Sequence, residues 1–420
     1  MRRRDATVSG RARQVVHTLA TYAATRVLLG GLIGVIISRV LGPEGRGDYA
    51  LVLAIATIAG AVGRLSIEHA HVSLWSTVPD RAAIAANSLL LGPALGILAA
   101  LAILAAPAAL GPEVLPVPSL GVLAVALATV PCTTTGLYLT GVLLLRGQVQ
   151  WVNWSALLGA AFHCGSLAAL AAAGRLSVAW AVALWAVGTM LPLAVLVPAV
   201  RPGLGAGDLP LARRALGMGL RYHTGVLALF LLFRVDVLIL GALRPAADVG
   251  LYALAVALAE LTRVAADSVA QVTMAGQLDG DRDAAAACTF QALRVAALLS
   301  LGSVAVLCAV APLLIPLIFG SAFSPSVAPL LALAPGMWAL GMARPVSAFL
   351  LRLDRPVLMS SMSLAALAVN VGLNLALIPR FGVVGCAVAA SAGYGGLAVL
   401  QVGWLLRATR MPPRRLLVSR

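Results

Sequence analysis

From Ala82 to Val200 the chain carries only three formally charged residues, Glu113, Arg146 and Arg175. No water-facing surface can be built from such a stretch, because a soluble domain draws about a quarter of its residues from the charged types. The rest of the chain is similar: of 420 residues, 61% are hydrophobic and 11% charged. An apolar helix of roughly 20 residues crosses a bilayer. The sequence is therefore read as an all-α integral membrane protein of about twelve transmembrane helices in two six-helix lobes.

Apolar runs between Pro, Gly and charged breaks place these helices at about 15–41, 48–68, 82–107, 119–145, 151–173, 177–200, 215–243, 249–276, 288–319, 327–352, 357–379 and 383–407. The organisation is a basic tail (1–14), an N-lobe (15–200), a linker RPGLGAGDLPLARR (201–214), a C-lobe (215–407) and a second basic tail (408–420). The first apolar run is too long for a signal-peptide core and reads as a retained span. A faint repeat supports two same-handed halves. LGPEGRGDYAL (41–51) and LRPAADVGLYAL (243–254) both place Pro early and Tyr-Ala-Leu at the start of the next helix. With both termini in the cytoplasm, 21 of the 30 basic residues lie on the inner side, five outside and four in mid-helix. Such a bias orients a protein in the cytoplasmic membrane. Loops at 42–47, 108–118, 174–176, 244–248, 320–326 and 380–382 are expected outside.

All 30 basic residues are Arg. Without Lys, a Walker-type phosphate loop and lysine Schiff-base chemistry are both excluded. The net charge of +15 points to anionic lipids, not nucleic acid, because most Arg flank apolar segments. Cys132, Cys164, Cys288, Cys308 and Cys386 lie far apart and read as packing residues. DGDRD (279–283) lacks the later ligands of a calcium loop, and His69, His71, His163 and His223 have no metal-ligand spacing. No cofactor, metal or enzymatic activity is expected.

Charged groups in mid-membrane are costly unless they face a cavity or a partner. Arg26, Arg234, Arg263 and Arg344 are therefore the candidate substrate-binding residues, and an anion is the natural guest of a guanidinium. Arg26 and Arg234 sit in equivalent helices of the two halves and could share one anion. The competing reading is structural. Glu260, Arg263 and Asp267 share a helix face at spacings of three and four and can neutralise one another, while Arg344 can reach the inner headgroups. Arg234 and Asp236, two apart, need separate partners. Asp236, ahead of Glu260, is the candidate for ion coupling. Asn370 and Asn374, one turn apart, read as helix glue.

SRVLGPEGRGDYAL (38–51), FRVDVLILGALRPAADVGLYALAVALAEL (233–261), LIFGSAFSPS (317–326) and VNVGLNLALIPRFGVVGCAVA (369–389) resemble the polysaccharide transporters of the multidrug/oligosaccharidyl-lipid/polysaccharide flippase superfamily, the Wzx-type lipid-linked oligosaccharide flippases. The resemblance implies two six-helix lobes around a cationic cavity. It also implies alternating-access transfer of an undecaprenyl-diphosphate-linked glycan to the outer leaflet, with glycosyltransferases and a glycan polymerase as partners. The rivals are a multidrug or metabolite antiporter of the same superfamily and a membrane-embedded glycan polymerase or glycosyltransferase. A cationic drug would call for a cavity richer in carboxylates, and a polymerase for a larger outer loop.

Overall fold

The computed structural model describes residues 25, 30–110, 117, 119–279, 282–352 and 355–409. Arg26, the first basic tail and residues 410–420 of the second lie outside them. Helices form throughout, because in hydrocarbon each backbone N–H and C=O must be paired within its own segment. The chain divides into two compact units between His223 and Thr224.

In unit 1, α1 (Gly30–Gly63) joins two helices at Gly42, whose φ of 67° suits glycine, followed by Pro43. Then come α2 (Ile67–Trp75), α3 (Arg81–Leu110), α4 (Leu120–Leu127), α5 (Thr129–Leu145), α6 (Val149–Ala172), α7 (Val178–Met190) and α8 (Leu193–Val200). The pairs α4/α5 and α7/α8 are spans broken at Ala128 and at Leu191–Pro192. α9 (Leu209–Leu232) starts in this unit. The linker ahead of it is strapped down. Arg146 donates to the carbonyls of Val200, Pro202 and Gly203 at 3.1, 3.2 and 2.8 Å. Asn87 and Asp208 exchange hydrogen bonds of 2.7 and 3.0 Å.

α3 crosses α5 at backbone contact. A Cβ on Gly96 would lie 2.4 Å from the Pro131 Cα, the close approach that small residues allow between membrane helices. Gly96→Ala is expected to destabilise the protein by about 1–3 kcal/mol through overpacking. A lower midpoint of thermal unfolding in detergent would register this.

Unit 2 holds α10 (Val235–Leu243), α11 (Ala246–Leu261), α12 (Arg263–Asp279), α13 (Arg282–Phe319), a short 3-10 turn (Ser321–Ser326), α14 (Val327–Arg352) and α15 (Pro356–Thr409). α15 repeats the device of α1, joining two helices at Gly382 with φ 54° just after Pro379. Nine helices among the described residues are long and apolar enough to span a membrane, and the bent pair at 246–273 makes ten. Dividing α1 and α15 at their glycine joints yields twelve segments among the described residues, although the expected first helix, 15–41, lies outside them up to residue 29 except for residue 25. The main departures are internal. The second segment starts earlier than expected and breaks at residues 64–66, and the eighth breaks at Thr262.

Candidate functional site

The charged residues expected in unit 2 fall at two helix breaks. α9 ends at Leu232 and α10 starts at Val235, leaving Phe233 and Arg234 in a turn. α11 ends just after Glu260, and α12 starts at Arg263. Discontinuous spans expose helix ends whose dipoles and unpaired backbone groups can meet ions.

Arg234 Nη2 lies 3.2 Å from Glu260 Oε1, so the two breaks are tied by an ion pair that is roughly one-third exposed. Asp236 is separate. It sits in the first turn of α10, a position the helix dipole favours for an anion, and is 1% exposed. Its carboxylate accepts from the Tyr252 hydroxyl and from the Val237 N–H, the latter at 2.8 Å. Among the described residues it has no ion pair. The two-residue spacing of Arg234 and Asp236 thus leads to separate partners, as the sequence required.

The expected neutralisation of Glu260, Arg263 and Asp267 along one face does not occur. Glu260 pairs with Arg234, and Asp267 pairs with Arg344 of α14 at 2.5 Å. The break at Thr262 takes Glu260 out of register with Arg263, and Asp267, although still one turn from Arg263 on α12, is taken by Arg344. Arg344 therefore has a carboxylate partner, its Nε donating to Asp267 Oδ1. Arg263 is left with no carboxylate within 4.0 Å among the described residues. Its guanidinium carbon stands 4.9 Å from the Phe233 ring centroid, and its buried Nε has no hydrogen-bond partner. Phe233 in turn packs on Tyr394 at 5.2 Å. Because Arg263 is the first residue of α12, its charge adds to the positive end of that helix dipole instead of offsetting it.

Asn370 and Asn374 are fully buried. The Asn374 amide donates to the Asn370 carbonyl and side-chain oxygens at 2.9 and 3.1 Å, while Asn370 Nδ2 and Asn374 Oδ1 stay unpartnered among the described residues. The aromatic members of the site, Phe233, Tyr252 and Tyr394, were not singled out from the sequence. Only Tyr252 left a signal there, as part of the repeated Tyr-Ala-Leu.

In unit 1 the end of the second segment gathers Arg64, Ser66, Glu68, His69 and His71 with Tyr138 and His223. The sequence pattern ends the second helix at residue 68 and gives no hint of these long-range partners. Arg46, read as part of an outer loop, is buried and donates to the Gly34 carbonyl at 2.9 Å and to the Ser38 hydroxyl, closing the joint at Gly42.

The family model described as a polysaccharide biosynthesis protein matches residues 36–328. No curated protein matches by sequence. Among solved structures, the lipid II flippase MurJ in an inward closed conformation is similar at 15% identity, with a TM-score of 0.73 over 96% of this chain and 89% of that one. An inward-facing multidrug resistance MATE family transporter of the MOP superfamily is similar at 17% identity, with a TM-score of 0.66 over 94% and 98%. MATE in complex with MaD3S is similar at 15% identity, with a TM-score of 0.67 over 93% of each chain. At such identities the likeness establishes the fold, which is that of these flippases and transporters.

Proposed function

The chain belongs to the polysaccharide biosynthesis protein family, and from that premise we propose that it flips an undecaprenyl-diphosphate-linked oligosaccharide from the inner to the outer leaflet of the cytoplasmic membrane by alternating access. The observation that carries this reading is Arg263. A guanidinium at a break within an apolar span, with no carboxylate within 4.0 Å among the described residues and at the positive end of a helix, calls for an anion. The diphosphate of a lipid-linked glycan supplies one, and the partly exposed ring of Phe233 can serve its sugars.

In this reading Arg263 holds a phosphate directly. Arg234 and Arg344, held by Glu260 and Asp267, would reach the substrate by exchanging partners during the cycle. Arg26 remains proposed as a further contact from the N-terminal half, and Asp236, ahead of Glu260, as the coupling carboxylate. Glycosyltransferases and a polymerase would act before and after the flip, and anionic lipids would meet the Arg-rich inner face.

The deciding experiment reconstitutes the purified chain into vesicles carrying a fluorescent polyprenyl-diphosphate oligosaccharide. An impermeant quencher then reports which leaflet holds the label. The expected result is protein-dependent transfer. Its absence, together with gradient-driven efflux of a cationic dye, would favour a multidrug antiporter, the rival that the likeness to MATE transporters suggests.

The orientation is tested apart from the cargo. A Cys placed at Ser321 is expected to react in intact cells with an impermeant thiol reagent, and one at Gly207 is expected not to. The reverse pattern would overturn cytoplasmic termini.

A further inference from the structure

Leu65 and Ser66 adopt φ of 44° and 54°, and among the described residues they are the two non-glycine residues with positive φ. Side chains disfavour this region, and such strain persists where neighbours hold it. Here the clamps are visible. The Tyr138 hydroxyl on α5 donates to the Arg64 carbonyl at 2.5 Å, and Ser66 Oγ lies 3.2 Å from His223 Nδ1 on α9.

Around this break lie three of the five histidines. Glu68 Oε1 is 3.5 Å from His69 Nδ1 and 3.8 Å from Arg64 Nε, both longer than a good hydrogen bond, and Glu68 Oε2 has no hydrogen-bond partner. His71 is 2% exposed and aimed edge-on at Tyr138, with ring centroids 5.7 Å apart; its Nδ1 is likewise unpartnered. His69 is 36% exposed and stacks on Tyr222 of α9 at 6.1 Å. Among the described residues no group of three His, Cys, Asp or Glu could hold a metal.

The geometry points to a proton-binding site at this break in unit 1, in which the Glu68 and His69 pair takes up the proton and releases the clamp. The site goes beyond the transport reading above and holds for any cargo. The proton enters from the exposed part of the His69 ring and bonds to Nε2, while the buried Nδ1 keeps its hydrogen and donates a hydrogen bond to Glu68 Oε1, closing the 3.5 Å gap; no other covalent bond changes.

Groups facing Glu68 are Arg64, His69 and His71 from its own segment, Tyr138 from α5, and Tyr222 and His223 from α9. Neither α5 nor α9 contains a carboxylate, so Glu68 supplies the negative charge. With neutral imidazoles it cancels Arg64. After protonation the cluster carries one net positive charge beside the apolar wall formed by Ile67, Leu74 and Leu139. An uncompensated charge there is costly, and the imidazolium competes with Arg64 for Glu68. Opening of the strained turn to water relieves both.

The test is amide hydrogen exchange of the purified full chain in lipid nanodiscs, at about pH 5.5 and about pH 7.5. After correction for intrinsic exchange rates, residues 64–72 are expected to open roughly fivefold more at the lower pH. Glu68→Gln and His69→Gln are each expected to remove that difference. A parent chain without the response, or either variant keeping it, overturns the site. If Glu68→Gln fails to fold, the exposed His69→Gln decides alone.

Discussion

Arg263→Ala is expected to cut glycan export on the order of 100-fold while membrane abundance stays near that of the parent. A charge-assisted hydrogen bond from a guanidinium to phosphate is worth about 3 kcal/mol, which at about 1.4 kcal/mol per decade accounts for the loss. The expectation rests on what Arg263 lacks. Arg234 and Arg344 already have Glu260 and Asp267, so removing either would strand a carboxylate and lower abundance along with export. Arg263 strands no carboxylate within 4.0 Å among the described residues. Arg263→Lys keeps the charge and loses the planar fork, so partial recovery is expected. If Arg263 serves only as a cation packed on Phe233, the Ala variant loses about 0.5–2 kcal/mol of stability and exports normally per molecule. Surface glycan measured against membrane abundance separates the two.

The helices were legible in the sequence because hydrocarbon imposes length and apolarity on every span, and the joints at Gly42 and Gly382 because Pro43 and Pro379 flank them. The breaks inside the spans were not legible. Ala128, Phe233, Arg234 and Thr262 are neither Gly nor Pro, so nothing local announces them; Pro192 is the exception. This is why the charged residues of the site were found but their pairing was not. Thr262 parts Glu260 from Arg263, and Asp267, in register with Arg263 on α12, is claimed by Arg344 from a helix distant in sequence. The requirement that Arg234 and Asp236 find separate partners survived, because it rests on adjacency alone. Long-range neighbours such as Tyr252 on Asp236, or His223 on Ser66 across 157 positions, depend on how helices pack. No single-sequence pattern encodes that.

Asp236→Asn is expected to leave substrate binding intact and abolish the response of transport to a proton or sodium gradient. The Asp236 carboxylate is 1% exposed and is met by two neutral donors, the Tyr252 hydroxyl and the Val237 N–H. Its neighbour Arg234 is engaged with Glu260 at 3.2 Å. A buried anion matched by neutral groups alone is costly unless a cation accompanies it, which is what a coupling site requires: an ion bound in one step of the cycle and released in another. Asn has nearly the same shape, keeps Oδ1 for the Val237 N–H, and places its NH2 where the Tyr252 hydroxyl can turn to accept, so the cost to folding should be about 1 kcal/mol or less. Asp236→Leu is the contrast. It strands both donors, at about 1–3 kcal/mol each, and should lower the midpoint of thermal unfolding. Glu260→Gln weakens the pair with Arg234 but should preserve the gradient response, because Asp236 carries it. Flipping rates in vesicles with and without an imposed gradient provide the comparison. If Asp236→Asn responds to the gradient as the parent does, Asp236 is a structural anchor for Tyr252 and the coupling lies elsewhere.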